Sequence, residues 1–267
     1  MILYPENNMQ SACAEILAQV NDRILEITIN RPGRKNALTM AMYTAMAELL
    51  NSAANNSDIR VAVITGAEGI FTSGNDLTDF LGGSAEGEES PVFQFMSALY
   101  NFPKPVVAAV NGPAVGIGTT MLLHCDLSFA GHDAMFQMPF VNLGLCPEYG
   151  SSYLLPRIAG HAKASELLLL GKKFSAQEAV QIGICNAAVE SEQAIARARE
   201  AAVELAEKAP AAVRLTKQLL RRATQEKGLE FIQDEGRHFK DRLASEEFKE
   251  AATAFMEKRP ADFSRFD

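Results

Sequence analysis

No stretch of the chain stays apolar for the roughly 18 to 20 residues that a membrane-crossing helix requires; residues 105–110 are among the longest, which argues for a soluble protein. Positive charge is not in excess either. Twenty-five Lys and Arg stand against 33 Asp and Glu, a formal charge of -8, so a surface built to coat nucleic acid is not expected. The four cysteines, Cys13, Cys125, Cys146 and Cys185, are far apart and form no C-x-x-C pair. That spacing offers neither a disulfide framework nor a thiolate metal site, and each thiol reads as a small buried hydrophobe in a reducing cytoplasm.

Other signatures are missing too. His124, His132, His161 and His238 show no H-E-x-x-H or other close ligand spacing, so no metal is expected. There is no G-x-S-x-G elbow and no G-x-x-x-x-G-K-[ST] loop, which removes support for a serine hydrolase or a P-loop enzyme. Residues 1–10 carry no basic residue and no apolar targeting core, and Arg265-Phe266-Asp267 is not a peroxisomal tripeptide, so a cytoplasmic location is expected.

What is present is enough apolar material for a full core: 48% of 267 residues, with 22% charged. Residues 15–30 read as two strands about an Asn21-Asp22 turn. Thr39 caps an Ala- and Met-rich helix running to residue 55, and a short strand follows at 61–65. Residues 90–102 form a helix ended by Pro103, and the unbroken apolar run at 105–110 predicts a strand covered on both faces. A helix starts near Gly116, strands follow at 127–130 and 134–138, and a Gly- and Pro-bearing loop occupies 143–150.

Beyond residue 151 only helices are expected: 162–170, 175–182 with a Ser175/Glu178 capping box, 193–208 and 210–225. Residues 81–90, with three Gly and three Glu, are the expected mobile loop. The fold class is thus α/β, with a core through residue 200 and a helical region at 201–267. That region is either an assembly element or a cap on its own subunit. Gly116-Ile117-Gly118-Thr119-Thr120-Met121 imitates a dinucleotide fingerprint but has Met121 where the third glycine belongs.

Three segments, NRPGRKNALT at 30–39, FTSGNDLTDF at 71–80 and NFPKPVVAAVNGPAVGIGTTMLLHCD at 101–126, resemble in content, order and spacing the enoyl-CoA hydratase/isomerase, or crotonase, superfamily. The likeness continues through 175–183 and 255–259 and so covers nearly the whole chain. It implies a crotonase-type spiral of repeated ββα units whose C-terminal helices, 201–267, serve trimerisation. It further implies a homotrimer or dimer of trimers, an acyl-CoA thioester as substrate, and no cofactor beyond the coenzyme A that the substrate carries. The 71–80 segment together with residues 147–153 resembles the Δ3,Δ2-enoyl-CoA isomerase branch, which implies a double-bond shift in fatty acid degradation.

That chemistry needs hydrogen-bond donors aimed at a thioester oxygen and a base beside C2. Matching the family's motifs places the donors at the backbone amides of Asn75 and Ile117. The first amides of a helix lack intrahelical acceptors and sit at the positive end of its dipole, which suits Ile117 to an oxyanion. Hydratases of the family carry two glutamates, at positions held here by Thr120 and Phe140, neither of which can accept a proton. Glu148 stands where the isomerase branch has its single catalytic glutamate. Its neighbours Leu145, Cys146 and Pro147, with Phe140, are expected to desolvate it and raise its pKa.

For coenzyme A the resemblance points to Arg34, Lys35 and Ala37, to the loop of Ser73, Gly74, Asp76 and Leu77, and to Phe255 and Lys258, often supplied by a neighbouring subunit. Asp76 and Asp126 are read as structural and His124 as a satisfied core histidine. Two alternatives stay open, an enoyl-CoA hydratase and a non-catalytic acyl-CoA-binding protein.

Overall fold

The computed structural model describes residues 9–78 and 90–266. The chain opens with the hairpin of β1 (Ile16–Asn21) and β2 (Ile24–Ile29), antiparallel with Ile16 opposite Ile29. Asp22 and Arg23 both take positive φ, 49° and 68°, the handedness that lets a two-residue turn follow the twist of its strands. Thr39 then caps α1 (Met40–Asn55) by accepting from the Met42 amide at 3.3 Å.

β3 (Val61–Gly66) lies parallel to β2, α2 (Pro91–Tyr100) starts at the cap Ser90, and β4 (Val106–Val110) lies parallel to β3. After the short β5 (Ala114–Val115) and α3 (Ile117–Thr120) come β6 (Leu127–Gly131) and β7 (Met135–Gln137). α4 (Ser151–Ala159), α5 (His161–Leu169), β8 (Lys173–Ser175), α6 (Ala176–Gln181) and β9 (Ala187–Val189) follow. Four helices end the chain: α7 (Ala194–Glu207), α8 (Pro210–Arg221), α9 (Gln225–Leu243) and α10 (Glu246–Glu257).

One sheet has the order β1-β2-β3-β4-β6-β9, parallel after the hairpin, and the other β5-β7-β8. Burial of β3 and β4 is complete because alternate side chains serve two cores. Ala62, Ile64, Val106, Ala108 and Val110 face the main core with Met42, Leu50 and Leu99 of α1 and α2. Val61, Val63, Val107 and Ala109 face α7, whose Ala198, Ala201, Ala202 and Ala206 let the helix lie close.

Three expectations need correction or placement. Strands do return after residue 151: β9 extends the large sheet beside β6, where Asn186 exchanges bonds with Ser128, and β8 pairs with β7. Each has three residues, too few for alternation to show, and each is held by its neighbour's backbone rather than by its own pattern. The expected loop at 81–90 lies, apart from Ser90, outside the described residues. The expected division at residue 200 falls inside α7, which runs unbroken across it against the large sheet.

The C-terminal helices are packed on their own chain. Asp126 is the anchor for α8: Lys217 donates to it at 2.7 Å and to the Lys104 carbonyl at 2.6 Å, and Arg221 reaches the Tyr100 carbonyl at 2.9 Å. Asp126 also accepts from the Val106 amide at 2.8 Å, so its role as a structural residue holds. α9 rests on α4, with the Phe231 and Tyr153 rings stacked 4.7 Å apart.

Candidate active site

Three loops are laced together by backbone bonds. The Thr72 amide donates to the Pro113 carbonyl and Val115 donates back to Thr72, both at 3.0 Å, while Leu38 donates to Gly74 and Asp76 to Leu38, both at 2.9 Å. In this pattern residues 74 and 76 serve Leu38, so the Asn75 N–H between them is turned away from it; among the described residues it meets no carbonyl. Gly74 has φ 90°, and a Cβ there would lie 2.8 Å from the Val115 oxygen, so glycine is required. Two residues past Val115, Ile117 opens α3. Its preceding Gly116, at φ 57° and ψ -120°, bends the chain so that its own carbonyl accepts from Thr119 and Thr120, and among the described residues the Ile117 amide at the helix start meets no carbonyl.

At the other end of α3, the Thr120 hydroxyl donates to Oε1 of Glu148. Glu148 is 6% exposed, and its carboxyl is pushed up to about 8. Loss of water is the main cause; the Thr120 bond pulls the other way, and the nearby Glu235 adds to the rise. The turn carrying it is strained: Tyr149 and Gly150 both have positive φ, 58° and 72°. It is held from several sides. Ser151 donates to the Glu148 carbonyl through Oγ at 2.6 Å, and His124 Nε2 meets the Tyr149 carbonyl at 2.7 Å. Burial drops His124 to about 3, so the ring is neutral and that nitrogen donates, as expected for a satisfied core histidine.

The structure adds residues that the motifs did not indicate. Tyr43 of α1, fully buried, donates its hydroxyl to Oδ1 of Asn75. Burial, with Glu148 nearby, holds the phenol well above its ordinary value, so it is a neutral donor. Arg31 joins the loops at the rim, donating to the Ala37 carbonyl at 3.1 Å and to Asp76 at 2.7 Å, and pairing with Glu15 at 3.0 Å. Its bond keeps Asp76 below the ordinary carboxylate range. Asp76 also accepts from the Thr78 amide at 3.0 Å, the loop-shaping expected of it. Glu235 of α9, 7% exposed, accepts from the Gly150 amide at 2.6 Å, from the Ser152 amide at 2.9 Å and from the Ser152 hydroxyl.

Of the residues expected to meet coenzyme A, Arg34 and Lys35 are exposed on a turn anchored by the buried Asn36, whose side chain donates to Ala67 and Ile70. Ser73 donates to the Lys35 carbonyl at 3.1 Å, and Leu77 is half-buried beside Asp76. Phe255 and Lys258 lie exposed at the end of α10, whose Phe248 packs against the 141–144 turn. Among the described residues no hydrogen bond or ion pair joins them to Arg34 or Lys35, and no three His, Cys, Asp or Glu side chains gather as metal ligands.

A long parallel sheet whose returning loops lace a second, smaller sheet to it makes this a crotonase-fold protein. The chain belongs to the enoyl-CoA hydratase/isomerase family, whose model matches residues 19–265. Enoyl-CoA delta isomerase 2 of Rattus norvegicus is 36% identical over 92% of this chain, which spans 64% of that protein's length. The 2,3-dehydroadipyl-CoA hydratase of Escherichia coli is 34% identical over 94% of this chain and 98% of its own. Among solved structures, Pseudomonas aeruginosa OdaA superposes with a TM-score of 0.90 at 50% identity, over 91% of this chain and 99% of that one. An enoyl-CoA hydratase/isomerase from Pseudoalteromonas atlantica gives 0.89 at 40% identity, over 93% and 99%.

Proposed function

We propose that the protein shifts the double bond of a 3-enoyl-CoA to give the 2-trans-enoyl-CoA. The observation that carries this reading is Glu148: a buried carboxylate bonded to the far end of the same short helix whose first amide, Ile117, meets no carbonyl among the described residues. Glu148 takes the proton from C2, the electrons move into a dienolate, and the oxygen is gripped by the Asn75 and Ile117 amides. Glu148 then returns that proton to C4, so the enzyme ends as it began. One carboxylate suffices because a single proton leaves and comes back.

Hydration asks for more, since one group activates water while another delivers the α-proton. Thr120 and Phe140 offer no carboxylate, and Glu235 is committed to Gly150 and Ser152. The relatives' names include both activities, enoyl-CoA delta isomerase and 2,3-dehydroadipyl-CoA hydratase, and it is this chain's own residues that favour isomerisation.

Coenzyme A enters as part of the substrate, along the turn of Arg34, Lys35 and Ala37 and the Ser73–Leu77 loop. Phe255 and Lys258 reach it from a neighbouring subunit of a homotrimer, and the enzyme works in the cytoplasm on unsaturated fatty acids. Separate incubations with a 3-enoyl-CoA and a 2-enoyl-CoA test the reading. Formation of 2-enoyl-CoA in the first, with no 3-hydroxyacyl-CoA in the second, is expected; efficient hydration would overturn it.

A further inference from the structure

Glu235 is a buried carboxylate 87 positions along the chain from Glu148, on a helix that carries none of the family's site motifs, yet it grips the turn on which Glu148 sits. Its Oε2 accepts from the amide of Gly150, two residues past Glu148, and its Oε1 takes both donors of Ser152. Those amides belong to the N-cap and the second residue of α4, and the turn they close contains two consecutive left-handed residues, Tyr149 and Gly150. A non-glycine residue in that region costs of order 1 kcal/mol or more and persists only where its surroundings impose it. Glu235 is among the groups that impose it.

Glu148 feels the charge of Glu235, and two buried carboxylates coupled in this way share their protons unequally. Three donors point at Glu235 and one, Thr120, at Glu148. Burial raises both carboxyls, but the several donors around Glu235 pull it back down further than the one donor at Glu148 does, so the first negative charge settles on Glu235 and the second proton stays on Glu148. Among the described residues the other titratable groups facing Glu148 are Tyr43 of α1 and Cys146 and Tyr149 of its own loop. Burial raises all three above their ordinary values, so at neutral pH they are uncharged. Glu235 is then the charge that Glu148 feels.

We propose that Glu235 is a positioning residue for Glu148: it pins the strained turn that presents that carboxylate and holds a fixed negative charge behind it, keeping it a strong base. This rests on the reading of Glu148 as the proton carrier. Glu235 touches no reacting atom, and removing it is expected to lower the plateau kcat reached above the Glu148 midpoint, because the base is weaker, and to leave KM for the thioester in place.

The test combines kinetics with a readout that needs no turnover. With [5-13C]glutamate-labelled protein, carboxyl resonances assigned through Glu148→Gln and Glu235→Gln are followed against pH. In the wild-type protein the Glu235 signal should ionise before that of Glu148. In Glu235→Gln, which keeps the side chain's length and an acceptor for Gly150, the Glu148 midpoint should fall by on the order of one pH unit, and the acid limb of the isomerisation profile with it. Ionisation of Glu148 before Glu235 in the wild-type protein, or an unmoved Glu148 midpoint in folded Glu235→Gln, overturns the proposal. The wild-type titration decides even if the variant does not fold. Should the resonances behave as described while the wild-type protein fails to isomerise, the assignment of the reaction falls and the fixed charge at Glu235 stands.

Discussion

The Thr120 hydroxyl donates to Oε1 of Glu148 and so ties the helix that begins at Ile117 to the turn that carries the carboxylate. The position at which the family resemblance leads one to expect a hydratase glutamate holds instead the hydrogen-bond donor to Glu148. Because the bond favours the ionised form, it lowers the Glu148 pKa against the rise from burial.

Replacing Thr120 with Val should therefore move the acid limb of the pH–rate profile upward. A shift on the order of one pH unit cuts the rate at neutral pH about tenfold while the plateau at high pH is largely kept. An unmoved limb in a folded variant would remove Thr120 from the control of Glu148.

Tyr43→Phe deletes the hydroxyl that fixes Asn75. The cost in stability is about 0.5 to 1.5 kcal/mol, the ordinary worth of one such bond. If the Asn75 amide serves the developing oxyanion, kcat should fall further than that loss implies, with KM nearly constant. Thermal melts and steady-state kinetics on the same preparation separate the two effects.

Gly74→Ala places a Cβ 2.8 Å from the Val115 oxygen at a φ of 90°, so the loop must shift and carry the Asn75 amide with it. Loss of one oxyanion donor costs about 10² to 10³ in kcat where that has been measured. A fall of that order with intact binding of coenzyme A is expected; loss of binding alone would place the loop's role in recognition.

The hairpin, the helix after Thr39 and the capping box at Ser175 were legible because each is decided within a few neighbours. The unbroken run of β4 announced cover on both faces, and α1, α2 and α7 supply it. The motifs named Asn75, Ile117 and Glu148 as candidates, and the fold ties Glu148 to the helix of Ile117 through Thr120. What the chain brings together from afar was not: Tyr43 and Asn75 are 32 positions apart, and Glu235 and Gly150 are 85. Tyr43 did leave a trace, since a tyrosine on an otherwise apolar helix face needs a partner for its hydroxyl. Glu235 left none, standing among the many acids and bases of α9.

Glu148 should also make the protein less stable as pH rises. Its folded pKa, about 8, lies above the ordinary value of 4.5, so between these the unfolded chain has released a proton that the native protein retains. Stability from this group is fully present below about 4.5 and is lost as pH climbs to about 8, at roughly 1.4 kcal/mol per unit. Glu148→Gln, which cannot ionise, should melt higher than the wild-type protein at pH 8 and show a smaller difference at pH 5. Equal differences at both would show that the carboxyl is not held protonated.

The most direct measurement is turnover of a 3-enoyl-CoA by Glu148→Gln beside the wild-type protein, with folding and thioester binding checked on both. The account predicts that the variant binds the thioester but forms 2-enoyl-CoA at least about a hundredfold more slowly, the scale of a lost general base. Turnover near the wild-type rate would contradict it.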